Sequence, residues 1–249
     1  MQLQISLKNV STTYEGEKKP AIKDINLSVC KGEFVCIVGP NGAGKTTLLE
    51  TICGCLKPVA GEVQVLGYDM LRDGVKARRK IGYVPQDFMV QPEEPYKALD
   101  VVLMGRYGKI GLLRRVSEED VDKALAAMRM LEVEEFRDKP IGKLSGGQQQ
   151  KVMIARALAK EPEILLLDEP LSNLDYDARV KVSEIIGKLN REAEITTLVV
   201  AHNPEHLIQL CDRIIVIMGG RVIADMRSEE LEEESSILNI VPSLRVRLK

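Results

Sequence analysis

Residues 34–47, FVCIVGPNGAGKTT, constrain this chain more than any other stretch. Phe34 to Val38 form a continuous apolar run, which suits a strand buried on both faces of a parallel sheet. Gly39, Pro40, Asn41, Gly42, Ala43, Gly44, Lys45 and Thr46 then fit the spacing G-x-x-x-x-G-K-[ST] in full. Thr47, Leu48, Leu49 and Glu50 begin a helix. Glycines let the backbone curl so that successive N–H groups point inward around phosphate oxygens. The helix N-terminus adds a partial positive charge. In such a loop Lys45 would sit between the β- and γ-phosphates, and the Thr46 hydroxyl would bind Mg²⁺.

A second stretch supplies what a phosphate loop alone lacks. Ile164 to Leu167 form another apolar run that ends in Asp168 and Glu169, two adjacent carboxylates at the sheet edge where α/β ligands bind. Asp168 can hold a Mg²⁺ hydration shell, and Glu169 can orient and deprotonate a water for attack on the γ-phosphate. An apolar run followed by Asp-Glu is usually just the polar end of a strand. Together with a full phosphate loop it points to a nucleotide triphosphatase.

Further apolar runs, Leu198 to Val200 and Ile214 to Met218, read as buried strands, whereas Leu3 to Leu7 and Ile25 to Val29 alternate as half-buried antiparallel strands do. Ser117-Glu118-Glu119-Asp120 looks like a capping box with Asp in place of Glu. It opens a helix with Val121, Leu125, Met128 and Leu131 on one face. Gly147 to Ala159 and Asp177 to Leu189 are helical in pattern, and His206 falls in a helix after the Leu198 run. The expected fold is α/β: a P-loop NTPase core with a mostly parallel sheet, an antiparallel N-terminal β portion and an inserted helical subdomain. We expect a single domain over 1–249, with the core at about 1–87 and 161–229, the helical part at about 88–160 and an acidic tail at about 230–249.

Composition narrows the partners. Lys plus Arg (35) nearly balance Asp plus Glu (37), so no global basic field suggests nucleic acid. The five cysteines form no regular framework, which fits a reducing compartment. Cys36 lies in an apolar run as a small hydrophobe. Cys53-Gly54-Cys55 lacks the second cysteine pair or nearby histidine of zinc spacings. The N-terminus shows no basic-then-apolar signal region, and no apolar run approaches the roughly 18–20 residues that span a bilayer. Any membrane role would come through a partner.

Leu144-Ser145-Gly146-Gly147-Gln148 is a second glycine-rich loop leading into a helix. Physically it can serve as a helix cap, with Ser145 capping, or as an anion site of backbone N–H groups. The ordered set of motifs resembles the nucleotide-binding subunit of ATP-binding cassette (ABC) transporters over nearly the whole chain. That resemblance implies two subunits packed head to tail, with each ATP-Mg²⁺ between one subunit's phosphate loop and Ser145, Gly146, Gly147 and Gln148 of the other. It also implies adenine stacking on Tyr14, a Gln86 that touches Mg²⁺ and the water, Asp175 crossing the dimer interface, and His202 contacting the γ-phosphate. Ala201-His202-Asn203 departs from the commoner Ser-His-Asp but keeps the histidine.

The resemblance further implies a peripheral protein at the cytoplasmic face of the membrane, docked to a permease through about residues 87–116, with an extracytoplasmic substrate-binding protein in the complex. "LDVVLMGRYGKIGLLRR" with "PIGKLSGGQQQ" is similar to ATPases of the zinc/manganese uptake branch, and the related "GRY" of the iron–siderophore and cobalamin branch makes that branch the alternative. A non-transport ABC ATPase working on DNA or ribosomes would carry coiled-coil insertions or paired cassettes. Heptads and a basic patch are both missing here. A GTPase would show an Asn-Lys-x-Asp motif, which is also missing.

Overall fold

A computed structural model describes residues 2–86, 91, 93–111, 113–201, 204 and 206–228. Strands β1 (Leu3–Thr12) and β2 (Ile22–Cys30) pair antiparallel, from Leu3 opposite Cys30 to Thr12 opposite Ile22. β3 (Phe34–Val38) leads through the glycine loop into α1 (Lys45–Cys53). There follow β4 (Ala60–Val65), β5 (Tyr68–Asp69), α2 (Gly74–Arg78) and β6 (Ile81–Val84). Next come α3 (Ala98–Met104), α4 (Tyr107–Ile110), α5 (Glu118–Met130) and α6 (Gly146–Ala159). The chain returns with β7 (Ile164–Asp168), α7 (Tyr176–Ala193), β8 (Thr196–Val200), β9 (Arg213–Met218) and β10 (Arg221–Arg227).

Two sheets result. One has the order β2-β1-β4-β5 and is antiparallel. The other has the order β10-β9-β3-β8-β7-β6 and is parallel except for the edge strand β10. The α/β expectation, with an antiparallel N-terminal portion, is borne out. The apolar runs are continuous because each strand of the second sheet feeds two cores. Phe34, Cys36 and Val38 point into one core with α3, α5, α6 and α7, while Val35 and Ile37 point into another with α1 and the antiparallel sheet. Leu165 and Leu167 divide from Ile164 and Leu166 in the same way. Each such fully buried side chain contributes on the order of 2 kcal/mol, enough to make the strand register strongly preferred.

The helical portion is fastened by one arginine. Arg106 is 6% exposed, and its Nε and Nη2 donate to Asp120 Oδ1 at 3.0 and 2.9 Å. Its Nη1 donates to the Ala159 carbonyl at 3.0 Å and to Glu161 at 2.8 Å. Beside it, a Cβ on Gly105 would come within 2.0 Å of the Arg156 carbonyl, so only glycine allows this approach to α6. Ser117 caps α5 as expected, accepting from the Asp120 N–H at 3.2 Å and donating its hydroxyl to Asp120 at 2.7 Å. That cap sets the phase of α5: Ala124, Ala127 and Met128 form the buried stripe, with Val121 and Leu125 on its flanks rather than in its centre. Leu131, counted with that face, is the buried C-cap. His206 lies in a turn, not a helix, and meets the Tyr176 ring edge-on at 5.2 Å.

Candidate functional site

The loop after β3 is shaped by its glycines. Gly44 caps α1 at φ 101°, and a Cβ there would lie 2.7 Å from Ile22 Cγ2 and 2.8 Å from the Ala21 carbonyl. A Cβ on Gly39 would lie 2.1 Å from the Ile217 carbonyl. The loop is thus wedged between the two sheets. Lys45 is 6% exposed, and its Nζ donates to the carbonyls of Gly39 at 2.9 Å and Pro40 at 3.0 Å. An ammonium has three donors, so this folds the lysine over the loop and leaves one for a phosphate oxygen. Burial pushes the Lys45 ammonium below its usual value, offset in part by Glu169 and Asp168.

A cavity of about 610 Å³ opens over this loop. Asn41, Gly42, Ala43, Gly44, Lys45, Thr46 and Thr47 form its floor, and Tyr14, Gln86 and Glu169 stand on its walls. Gly39 and Pro40 support the floor through Lys45. Tyr14 is half-buried; its hydroxyl donates to Glu50 Oε2 at 2.9 Å and lies 3.1 Å from Thr47 Oγ1. Burial raises the phenol, so it stays neutral. Its ring is thereby fixed at the cavity edge by α1, where a nucleobase could stack.

Asp168 ends β7 with 0% exposure, and among the described residues neither of its carboxylate oxygens has a hydrogen-bond partner. Burial, with the neighbouring Glu169 charge, pushes its carboxyl up to about 6, while the nearby Thr46 hydroxyl and Lys45 pull the other way. A buried carboxylate without partners costs free energy unless a cation answers it. The donor set of Asp168, the Thr46 hydroxyl and the Gln86 amide is all oxygen, which fits a hard divalent ion such as Mg²⁺. Glu169 follows on the half-exposed cavity wall with φ 47°.

Other expected residues stand elsewhere. None of Ser145, Gly146, Gly147 and Gln148 lines this cavity, nor does Asp175. Ser145 and Gly146 are exposed at the start of α6. There Ser145 Oγ accepts from the Gln148 N–H at 3.3 Å, and Gln148 Oε1 accepts from the Ser145 N–H at 3.0 Å. That is a helix cap, yet it leaves the Ser145 hydroxyl hydrogen free to donate to an anion. Asp175 caps α7 through the Ala178 N–H at 2.8 Å. A Cβ on Gly147 would lie 3.3 Å from the Asn173 carbonyl, so the two exposed loops are neighbours. His202, residues 87–90 and the acidic tail lie outside the described residues.

Three contributors were not singled out from the sequence. Glu17 and Lys19 reach the cavity from the β1–β2 turn, where no local pattern marks them. Arg179 holds the Asp175 loop by donating to the Leu174 carbonyl at 2.8 Å. Its place four residues after Asp175 was the available signal.

The geometry agrees with comparisons to known proteins. The family model described as ABC transporter matches residues 22–172. The manganese transport system ATP-binding protein MntB of Bacillus subtilis (strain 168) is 39% identical over 86% of this chain and 82% of its own. The choline transport ATP-binding protein OpuBA of the same organism is 35% identical over 88% of this chain, which spans only 56% of that relative. The solved dimer of the ATP-binding cassette MJ0796 in a post-hydrolysis state with ADP and Pi superposes with a TM-score of 0.79 at 36% identity, covering 90% of this chain and 98% of that one. The fold, the phosphate cradle and these likenesses agree on one identity: the chain belongs to the ABC transporter family as an ATP-binding subunit that hydrolyses ATP.

Proposed function

We propose that this subunit drives the import of a divalent metal ion, manganese or zinc, through a separate membrane permease. The observation that supports this reading is the likeness to a manganese transport ATPase at 39% identity and to a zinc uptake ATPase at 37%, over 82% and 91% of those proteins, with a phosphonate import ATPase at 35% as the rival. As a member of its family the subunit works at the cytoplasmic face of the membrane, paired with a permease and with a second ATP-binding subunit. Among the described residues no helix is long and apolar enough to cross a membrane. An extracytoplasmic binding protein that delivers the metal completes the proposed complex.

The proposed site roles join the chemistry of the phosphate loop and the Asp168-Glu169 pair to what the family resemblance implies for Tyr14, Gln86, Ser145 to Gln148, Asp175 and His202. Backbone N–H groups from Gly42 to Thr47 and the α1 N-terminus hold the phosphates, with Lys45 as their cation. Thr46, Asp168 and Gln86 would hold Mg²⁺, which when bound neutralises charge on the phosphate oxygens. Glu169 takes the proton of the attacking water, and His202 contacts the γ-phosphate. Tyr14 stacks on adenine. Ser145 and Gly146, exposed, and Gly147 and Gln148, half-buried, all lie outside the cavity and complete the site of the opposite subunit, with Asp175 at the seam. The core at about 1–87 and 161–229 then binds ATP, and the helical part at about 88–160 carries the loop offered to the partner.

Arg106 counsels care with the cargo. The "GRY" resemblance rests partly on a residue whose contacts fasten α5 and α6, so that tripeptide speaks for the helical architecture more than for the metal. The deciding experiment is ATPase activity of the subunit co-purified with its permease and binding protein in lipid vesicles. Mn²⁺ or Zn²⁺ delivered by the binding protein should stimulate hydrolysis severalfold. Stimulation by choline or an iron–siderophore instead, with none by these ions, overturns the metal reading.

A further inference from the structure

Helix α1 begins at the phosphate loop and ends at a pair of thiols. Cys53 is its last residue and is 3% exposed, whereas Cys55 is exposed. Between them Gly54 adopts φ 74°, and its N–H returns to the Thr51 carbonyl while that of Cys55 returns to the Glu50 carbonyl. This left-handed turn carries the chain back so that the Cys53 thiol donates to Cys55 Sγ at 3.1 Å. The sulfurs are about 1 Å from the roughly 2.05 Å of a disulfide bond. The positive φ favours glycine here, and the ends of the Met70 and Arg78 side chains pack over the Cα, where they would have to shift to admit a Cβ.

We propose that Cys53 and Cys55 are a peroxide-sensitive modification site, Cys55 attacking and Cys53 resolving, that closes to a reversible disulfide at the end of α1. The surroundings suit each role. The hydrogen bond from Cys53, helped by the Arg78 and Lys160 cations, lowers the Cys55 thiol against partial burial and the Glu50 charge, which favours its thiolate. The same bond and deeper burial push the Cys53 thiol far up, keeping it protonated until it is needed. An accessible, acidic cysteine beside a resolving one is the arrangement that redox-responsive thiols require.

The chemistry balances with hydrogen peroxide as the oxidant. Cys55 thiolate attacks one peroxide oxygen: the S–O bond forms, the O–O bond breaks, and the departing hydroxide takes a proton to become water. Cys53 then loses its proton and attacks the Cys55 sulfenic sulfur: S–S forms, S–O breaks, and a second water leaves. Two thiols are oxidised and one peroxide is reduced. A low-molecular-weight thiol reverses the step by exchange. Cys36 and Cys211 supply an internal comparison. They meet in the core, where Cys211 together with full burial pushes the Cys36 thiol well up and both sulfurs are buried away from an oxidant in solution.

The test treats the purified full chain with one equivalent of hydrogen peroxide, alkylates with iodoacetamide and maps the peptides by mass. The peptide holding Cys53 and Cys55 should lose both alkylation sites and regain them after dithiothreitol, while those holding Cys36 and Cys211 stay unchanged. Cys53→Ser should leave a Cys55 sulfenic acid that dimedone traps. Cys55→Ser should slow peroxide consumption at Cys53 by more than tenfold. The proposal is overturned if Cys53 and Cys55 remain alkylatable in the wild-type chain. It is equally overturned if the first disulfide joins other cysteines, or if Cys55→Ser leaves Cys53 as reactive as before.

Discussion

The backbone N–H of Glu169 is held by the carbonyl of Val200 at 3.0 Å while Glu169 keeps a left-handed φ of 47°. A non-glycine residue in that region costs about 1–2 kcal/mol. The neighbouring strand β8 pins it there, at the point where β7 leaves the sheet, and this sets the carboxylate on the cavity wall rather than along the strand. The strain is stored at the residue proposed to take the water's proton, in line with where such strain concentrates.

Glu169→Gln is expected to melt like the wild type and to bind ATP, yet to lose hydrolysis by about 10²–10⁴-fold, the usual share of a general base. Glu169→Gly separates backbone from carboxylate. It should lose hydrolysis equally but gain about 1 kcal/mol of stability from the relieved φ, read by thermal melts. A Glu169→Gln enzyme with near wild-type turnover would remove Glu169 from the mechanism.

Asp168 carries a different signature. Its carboxyl is raised to about 6 by burial, so its stabilising protonated form is fully present below the ordinary carboxylate value of about 3.9 and lost as pH climbs through about 6. At pH 7.5 without Mg²⁺, Asp168→Asn should therefore be more stable than wild type by about 1 kcal/mol, less than the full shift because the amide remains unpaired. Mg²⁺ with nucleotide should raise the melting temperature of the wild type and not that of the variant. Equal stabilisation of both would place the ion elsewhere.

Because Ser145 is exposed and outside the cavity that Lys45 floors, the two can be damaged on separate chains. Ser145→Arg and Lys45→Ala should each lose activity on the order of a hundredfold or more when alone. Mixed, they should regain activity, since a head-to-tail pair keeps one site free of both changes. A mixture no more active than its components contradicts the shared site.

Arg106→Met should destabilise the chain by about 3 kcal/mol, because it leaves the buried Asp120 charge with its Ser117 hydrogen bonds but without its cation. Ser117 first, then Arg106, holds the Asp120 carboxyl down at about 2. A depressed carboxylate contributes its stability above about 3.9 and loses it as pH falls toward 2. The gap between wild type and Arg106→Met, measured by denaturant unfolding, should be constant from pH 7 to 5 and narrow below pH 4.

What the sequence showed and what it hid have physical reasons. β3, β7, β8 and β9 were legible because burial on both faces leaves an unbroken apolar run, and the loop after β3 because phosphate binding fixes its spacing. β6 was hidden by Gly82, which reads as a turn but is there because a Cβ would come within 2.9 Å of the Ala157 carbonyl. β5 is only two residues long and carries no period. Arg106 drew notice only within the "GRY" resemblance, since its partners Asp120 and Glu161 lie 14 and 55 residues away and meet it only in the fold. Ser145 was an even choice between cap and anion site; the structure displays the cap, and the exposed hydroxyl keeps the other role open.

The order β3-β8-β7 has a last consequence. The phosphate loop, the segment of Ala201 and the pair Asp168-Glu169 leave the carboxyl ends of three adjacent strands, so their spacing is counted in steps of about 4.8 Å, the repeat of the sheet itself. Within one chain the sheet acts as a ruler that neither stretches nor tilts without breaking its own ladder. A cycle of binding and release that keeps this ladder intact takes its movement from elements packed on the sheet or against the chain, not from the spacing of the strand ends.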